Sequence, residues 1–274
     1  MQSFLWSETF CQKICIRPTF LLTLNRICAF LNNMETLSSI VLAAALLPAV
    51  VLMVMILWRD KEKPEPYGQL LKGFFYGLLS VFCSLLISTP LLSLGLVPAT
   101  YSNSLEAMWH SFMVAAIPEE SAKLLMLWLL LRRNPYFDEH LDGIVYAVCV
   151  GLGFAAFENV CYLFDAGDTW LPTAIARGVL AVPGHFFFAV LMGYYYSLVH
   201  FGHSSNRNRF MVLAAPVLAH GIYDTIAMSS DVSEGMELLF SVVLLLFCNE
   251  LRKLGTRHIR ELVEEDRRTG RNQV

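Results

Sequence analysis

The run SFMVAAIPEESAKLLMLWLLL, Ser111–Leu131, decides the fold. Both of its ends read as lipid-soluble helix, yet its centre, Ile117–Lys123, holds two adjacent carboxylates and an ammonium. An Asp, Lys or Arg at the centre of a membrane helix costs about 2.5–3.5 kcal/mol on insertion scales. Three such groups side by side therefore mark a site. Spacing offsets part of the cost, because Glu119 and Lys123 are four apart and Glu120 and Lys123 three apart, so both carboxylates reach the amine on one helix face. Pro118, just before them, removes one helical hydrogen bond and opens local backbone groups to water or ligand.

The rest of the chain reads the same way. Of 274 residues 56% are hydrophobic and 16% charged, with a mean hydropathy of +0.53, which places the chain among polytopic membrane proteins. A net charge of -3 supplies no basic field for nucleic acid, and no nucleic-acid motif occurs. The seven cysteines lack the spacing of a zinc site and read as packing residues. Seven runs are long enough to span a bilayer: 36–58, 69–90, 105–131, 141–164, 170–199, 209–229 and 234–250. The expected fold is therefore all-α, about seven transmembrane helices around a polar intramembrane cavity. Pro183-Gly184 predicts a kink or break in the fifth. Residues 1–33 carry scattered charge and an apolar patch too short to span, and read as an N-terminal extension or an over-extended start. Residues 34–250 form the membrane domain, and 251–274 a charged cytosolic tail, a mixed-charge helix or disordered end with a solvated surface.

Loop charge sets the orientation. Arg59, Lys61 and Lys63, then Arg132 and Arg133, then Arg207 and Arg209, and finally Arg252 and Lys253 fall in alternate loops; the loops between are neutral or acidic. The positive-inside rule then places the N-terminus outside and the C-terminus in the cytosol, in the cell membrane.

With that topology, Glu119 and Glu120 lie near mid-membrane, Glu158 and Asn159 somewhat toward the outer half, and Arg177 nearer the outside. His185 follows the Pro183-Gly184 step, and His220 and Asp224 sit four apart on one face of the sixth span. Four helices carry ionisable groups to similar depth, and a shared cavity keeps them all out of lipid. Taken singly, each has a plainer reading. His185 can be an interhelical hydrogen-bonder, Lys123 a neutralising charge, and Arg177 a residue that snorkels to the interface. The set as a whole points to chemistry. A buried glutamate can act as general base on water, while histidine and asparagine donors hold an oxyanion. Alternatively His185, His220, and Glu158 or Asp224 with a glutamate could ligate zinc. Neither HExxH, GxSxG nor a GxGD-type aspartate pair is present, which disfavours soluble-metalloprotease, serine and aspartyl schemes.

EESAK (119–123), FAAFEN (154–159) with Tyr162, Arg177 followed by VPGHFF around His185, and HGIYD (220–224) together resemble the PrsW family of membrane proteases. That family's patterns are EExxK, FxxxEN, an isolated histidine after an arginine, and HxxxD. DKEKPEPY after the first span is similar to its Glu-Pro-rich segment. The resemblance covers about 36–250. Four motifs in order on consecutive helices make it specific. It is similar in turn to the CAAX prenyl protease and bacteriocin-processing family, in which paired glutamates activate water. It implies Glu119 and Glu120 as the water-activating pair, then His220, with Glu158, His185 and Asp224 around them and Lys123, Asn159 and Arg177 in support. The implied activity is endoproteolysis of a membrane-anchored protein, single-pass and anti-sigma-factor-like, with zinc or no metal. A proton-coupled transporter using the same carboxylates and a silent membrane scaffold are the rival classes.

Overall fold

The computed structural model describes residues 39–271. The extension at 1–33, and the start of the first span at 36, lie outside the described residues. Lipid cannot satisfy backbone N–H and C=O groups, so an apolar run has to close its hydrogen bonds on itself as helix. Every element described here is helical, in the order α1 (Ser39–Arg59), α2 (Tyr67–Ser93), α3 (Ser104–His110), a π-turn (Ser111–Ala116), α4 (Ile117–Leu131), α5 (His140–Asp165), a short 3₁₀ turn (Gly167–Thr169), α6 (Trp170–Ala176), a second π-turn (Arg177–Ala181), α7 (Val182–His200), α8 (Asn206–Asp231) and α9 (Glu237–Arg271).

These make seven rods, because α3 runs into α4 and α6 into α7 through the π-turns. Five are long and apolar enough to cross a membrane on composition alone. The α3–α4 rod carries Glu119, Glu120 and Lys123, and α9 passes from apolar into charged sequence, so composition alone does not single these two out. The rod α5 is the axis: 78% of its most apolar window is buried, against 22% for α1. Its glycines allow that central position. A Cβ on Gly153 would collide with the Phe74 carbonyl of α2, and one on Gly143 with Ser197 of α7, so the backbones pack close, as small residues permit in membranes.

Two sequence expectations change. The fifth span is not broken at Pro183-Gly184. Instead the helix widens into a π-turn just before the proline, which accommodates the ring without interrupting the rod. The tail beyond 250 is not simply solvated. Leu251, Gly255, His258, Ile259 and Leu262 recur at helical spacing and are buried, so α9 continues unbroken to Arg271. Near its end Asp266 accepts hydrogen bonds from the backbone N–H groups of His140 (2.7 Å) and Leu141 (2.9 Å), capping α5 from another helix.

The same basic end of the bundle holds the α1–α2 loop. Glu65 accepts from the Tyr146 hydroxyl of α5, Lys63 pairs with Asp138 at 2.6 Å, and Arg267 of α9 reaches Glu62 at 2.8 Å. Asp60 is buried at the root of this loop and accepts from the Glu65 N–H. Burial, with Glu65, Glu139 and Asp266 nearby, pushes its carboxyl up to about 7. A carboxyl raised on folding contributes stability at low pH and loses it as pH rises through the folded value. Hydrogen-exchange protection of residues 60–66, corrected for intrinsic rates, is therefore expected to fall between about pH 4 and 7 and to level off above that. Asp60→Asn should abolish that change; protection that stays level in the wild type contradicts it.

Candidate active site

Two of the rods deliver their reactive groups by the same local device. A π-turn is followed one residue later by proline: Ser111–Ala116 then Pro118, and Arg177–Ala181 then Pro183. Glu119 and Glu120 follow the first proline, His185 the second. The wide turn absorbs the missing N–H and frees carbonyls, as π-bulges at functional sites do.

Glu120 is fully buried. Its Oε1 accepts from Lys123 Nζ at 2.7 Å and lies 2.8 Å from His220 Nδ1, whereas its Oε2 is buried without a hydrogen-bond partner. Glu119 is held more loosely, 3.4 Å from Lys123 Nζ and 3.9 Å from His220 Nε2, and it keeps 8% exposure. Lys123 also sits 3.1 Å from His185 Nδ1 and over the Phe154 ring. On the far side of His185, Nε2 meets Glu158 Oε2 at 2.9 Å, and that same carboxylate takes Arg177 Nη2 at 2.7 Å. Behind His220, Asp224 Oδ2 stands 3.3 Å from Nε2. The sequence-predicted set Glu119, Glu120, Lys123, Glu158, Asn159, Arg177, His185, His220 and Asp224 is thus brought into one network spanning α4, α5, the second π-turn, α7 and α8.

Within that network several roles differ from expectation. Arg177 does not snorkel: it is 1% exposed, bridges Glu158 and Asn159, and lies on the Tyr162 ring at 3.8 Å. Asn159 donates to Ala45 O at 2.7 Å and accepts from Arg177 Nε at 2.9 Å, so its amide ties α1 to the site. Glu158 stands behind His185 rather than beside the other donors. Phe188 is a member the sequence reading missed. It stacks on His220 (4.8 Å, 17°) and meets His185 edge-on (5.8 Å). Its position three residues after His185 put it on the same helix face, which was the available signal.

One donor atom each from Glu119, Glu120, His185 and His220 lies within 4.8 Å of the others. These oxygen and nitrogen ligands suit zinc, and Glu158 and Asp224 stand where carboxylates orient metal-bound histidines. Charge points the same way. Four carboxylates (Glu119, Glu120, Glu158, Asp224) face two cations (Lys123, Arg177), so with all four ionised two negative charges would be left for histidine protons or a divalent cation to balance. The unpartnered Glu120 Oε2 fits the second possibility. Beside the cluster, Glu158, Arg177, His185, His220, Tyr223 and Asp224 enclose a cavity of about 10 Å³, room for about one water.

The profile of the PrsW family intramembrane metalloproteases matches residues 65–248. The chain is similar to Protease PrsW of Clostridioides difficile (strain 630), 34% identical over 214 residues that cover 77% of this chain and 88% of that protein. It is similar also to Protease PrsW of Geobacillus kaustophilus (strain HTA426), 34% identical over 193 residues covering 69% and 80%, and of Bacillus subtilis (strain 168), 31% identical over 188 residues covering 68% and 82%. No solved structure matches. With its glutamate pair, two histidines and their carboxylates gathered in one buried cluster, the chain belongs to the PrsW family of intramembrane proteases.

Proposed function

We propose that this chain, an intramembrane peptidase, hydrolyses a peptide bond of a single-pass, anti-sigma-factor-like protein in the cell membrane, with the arginine-rich end of the bundle in the cytosol. The observation that carries this reading is the convergence of Glu119, Glu120, His185 and His220 beside a water-sized polar cavity. Glu119 is the better candidate for general base, since it is the less tightly held and less buried of the pair. Glu120 is committed to holding Lys123 and His220. The oxyanion that forms when water attacks the carbonyl would rest on histidine and Lys123 donors, which face the glutamate pair, with the second N–H of Asn159 in reserve.

Glu120, His185 and His220 are the residues that would hold a zinc ion, with Lys123 giving up its contact to His185. The metal would polarise the carbonyl and lower the pKa of a water. His185 and His220 then keep their orientation through Glu158 and Asp224.

The cavity lies on the Arg177 and Asp224 side of the glutamates, toward the end remote from the arginines, which favours substrate access from outside the cytosol. Full-length protein in liposomes, given single-pass reporters, is expected to cut the flank on that side, as mapped by mass spectrometry. A cut on the cytosolic flank overturns the access side. Loss of cleavage with a chelator, recovered with zinc and matched by metal content near one per chain, assigns the metal. Full cleavage by metal-free protein assigns the chemistry to the glutamates.

A further inference from the structure

Away from the catalytic cluster, a groove of about 590 Å³ opens to the side of the bundle between α4, α7 and α8, a size typical of small-ligand sites. Its wall is apolar, formed chiefly by Leu125, Trp128, Val199 and Val212. Its inner end reaches Ser121, the residue after Glu120, and its mouth lies at the basic end, where Arg209 lines it. Arg132 lies against the Trp128 ring at 5.1 Å. No acidic side chain lines the groove, and among the described residues neither arginine has a carboxylate partner; Arg209 donates only to Ser204 Oγ, at 2.9 Å.

An apolar slot whose mouth is lined by Arg209, with Arg132 beside it over the lining Trp128 ring, is complementary to a molecule with a hydrocarbon body and an anionic head. We infer that this groove binds an anionic phospholipid, its acyl chain along Leu125, Val199 and Val212 and its phosphate at Arg209 and Arg132. Basic pockets between membrane helices select such headgroups, and guanidinium forks suit phosphate. A substrate helix fits less well: where it emerges on this side it carries Lys and Arg of its own, which the two arginines would repel. The groove is separate from the water-sized cavity, so the inference does not depend on the proteolytic reading. Its position does place the chain terminus of a bound lipid against α4, one residue from the glutamates.

Delipidated full-length protein is offered equal amounts of phosphatidylglycerol and phosphatidylcholine with identical acyl chains, and retained lipid is counted by native mass spectrometry. Phosphatidylglycerol is expected to be retained about fivefold or more over phosphatidylcholine, taking the usual contribution of a basic residue facing anionic lipid. Arg132→Gln with Arg209→Gln should bring the ratio to about one, and Val212→Trp should lower retention of both lipids. Millimolar inorganic phosphate should not displace the lipid. Melting temperature checks that each variant is folded. A photoreactive residue at Leu125 should capture phospholipid. Equal retention of the two lipids by folded wild type, a preference that survives the double variant, displacement by phosphate, or capture of a second copy or of a reporter helix at Leu125 overturns the inference.

Discussion

Glu119→Gln is expected to slow cleavage of a single-pass reporter by about 10²–10⁴-fold, the usual contribution of a positioned general base. It should do so with little change in melting temperature. The reason is how loosely Glu119 is held: its carboxylate approaches Lys123 only to 3.4 Å and His220 only to 3.9 Å, and the amide of glutamine fills the same volume. Glu120→Gln should lose as much activity for a different reason. It removes the carboxylate bonded to both Lys123 and His220, and leaves the ammonium buried beside a neutral amide. Breaking a buried pair from one side costs about 3–5 kcal/mol, so this variant should also melt markedly earlier. Single-turnover cleavage alongside thermal unfolding separates the two. If Glu119→Gln cleaves at the wild-type rate, Glu119 is not the base; if only Glu120→Gln is inactive and it melts normally, the roles are reversed.

The second large effect is at Arg177. Arg177→Met should destabilise the protein by about 3–5 kcal/mol, because Glu158 then keeps a buried charge without its bidentate-capable partner and Asn159 loses its donor. Arg177→Lys should recover little, since one ammonium cannot reproduce the fork that spans Glu158 and Asn159. Adding Glu158→Gln to Arg177→Met should restore much of the stability, yet cleavage should stay low, because Glu158 also orients His185 at 2.9 Å. That split between recovered melting and unrecovered turnover identifies Arg177 as a positioning residue that acts through Glu158. Recovery of both would make its role purely structural.

The seven rods and the identity of the polar cluster were readable in the sequence because lipid makes both conspicuous. An apolar run about 20 residues long has little choice but to be helix, and each charge inside it needs a partner. Glu119, Glu120, His220 and Asp224 could be set on common faces by counting threes and fours. What could not be counted was how groups on different helices share partners. Glu158 and Asn159 are adjacent, yet one turns to His185 and Arg177 while the other spends its amide on Ala45 of α1. Nor does local sequence reveal that Asp266, in a stretch dense with charge, caps α5, because the cap is made across 125 residues of chain. Phe188 stands in a run of three phenylalanines, and it is its ring that stacks on His220, a contact made between helices.

The two π-turns carry a consequence for how such a site changes over time. A π-turn is in effect an α-helix with one residue too many, and one residue is about 100° of rotation. Winding 111–116 as regular α-helix with all its residues kept would add that rotation and swing Glu119 and Glu120 a quarter-turn or more out of the cluster. The same holds for 177–181 and His185. Both halves of the cluster therefore depend on a backbone irregularity as well as on residue identity, so a chain that lost either wide turn would keep every glutamate and histidine, remain a sound bundle of membrane helices, and fall silent through a change of winding.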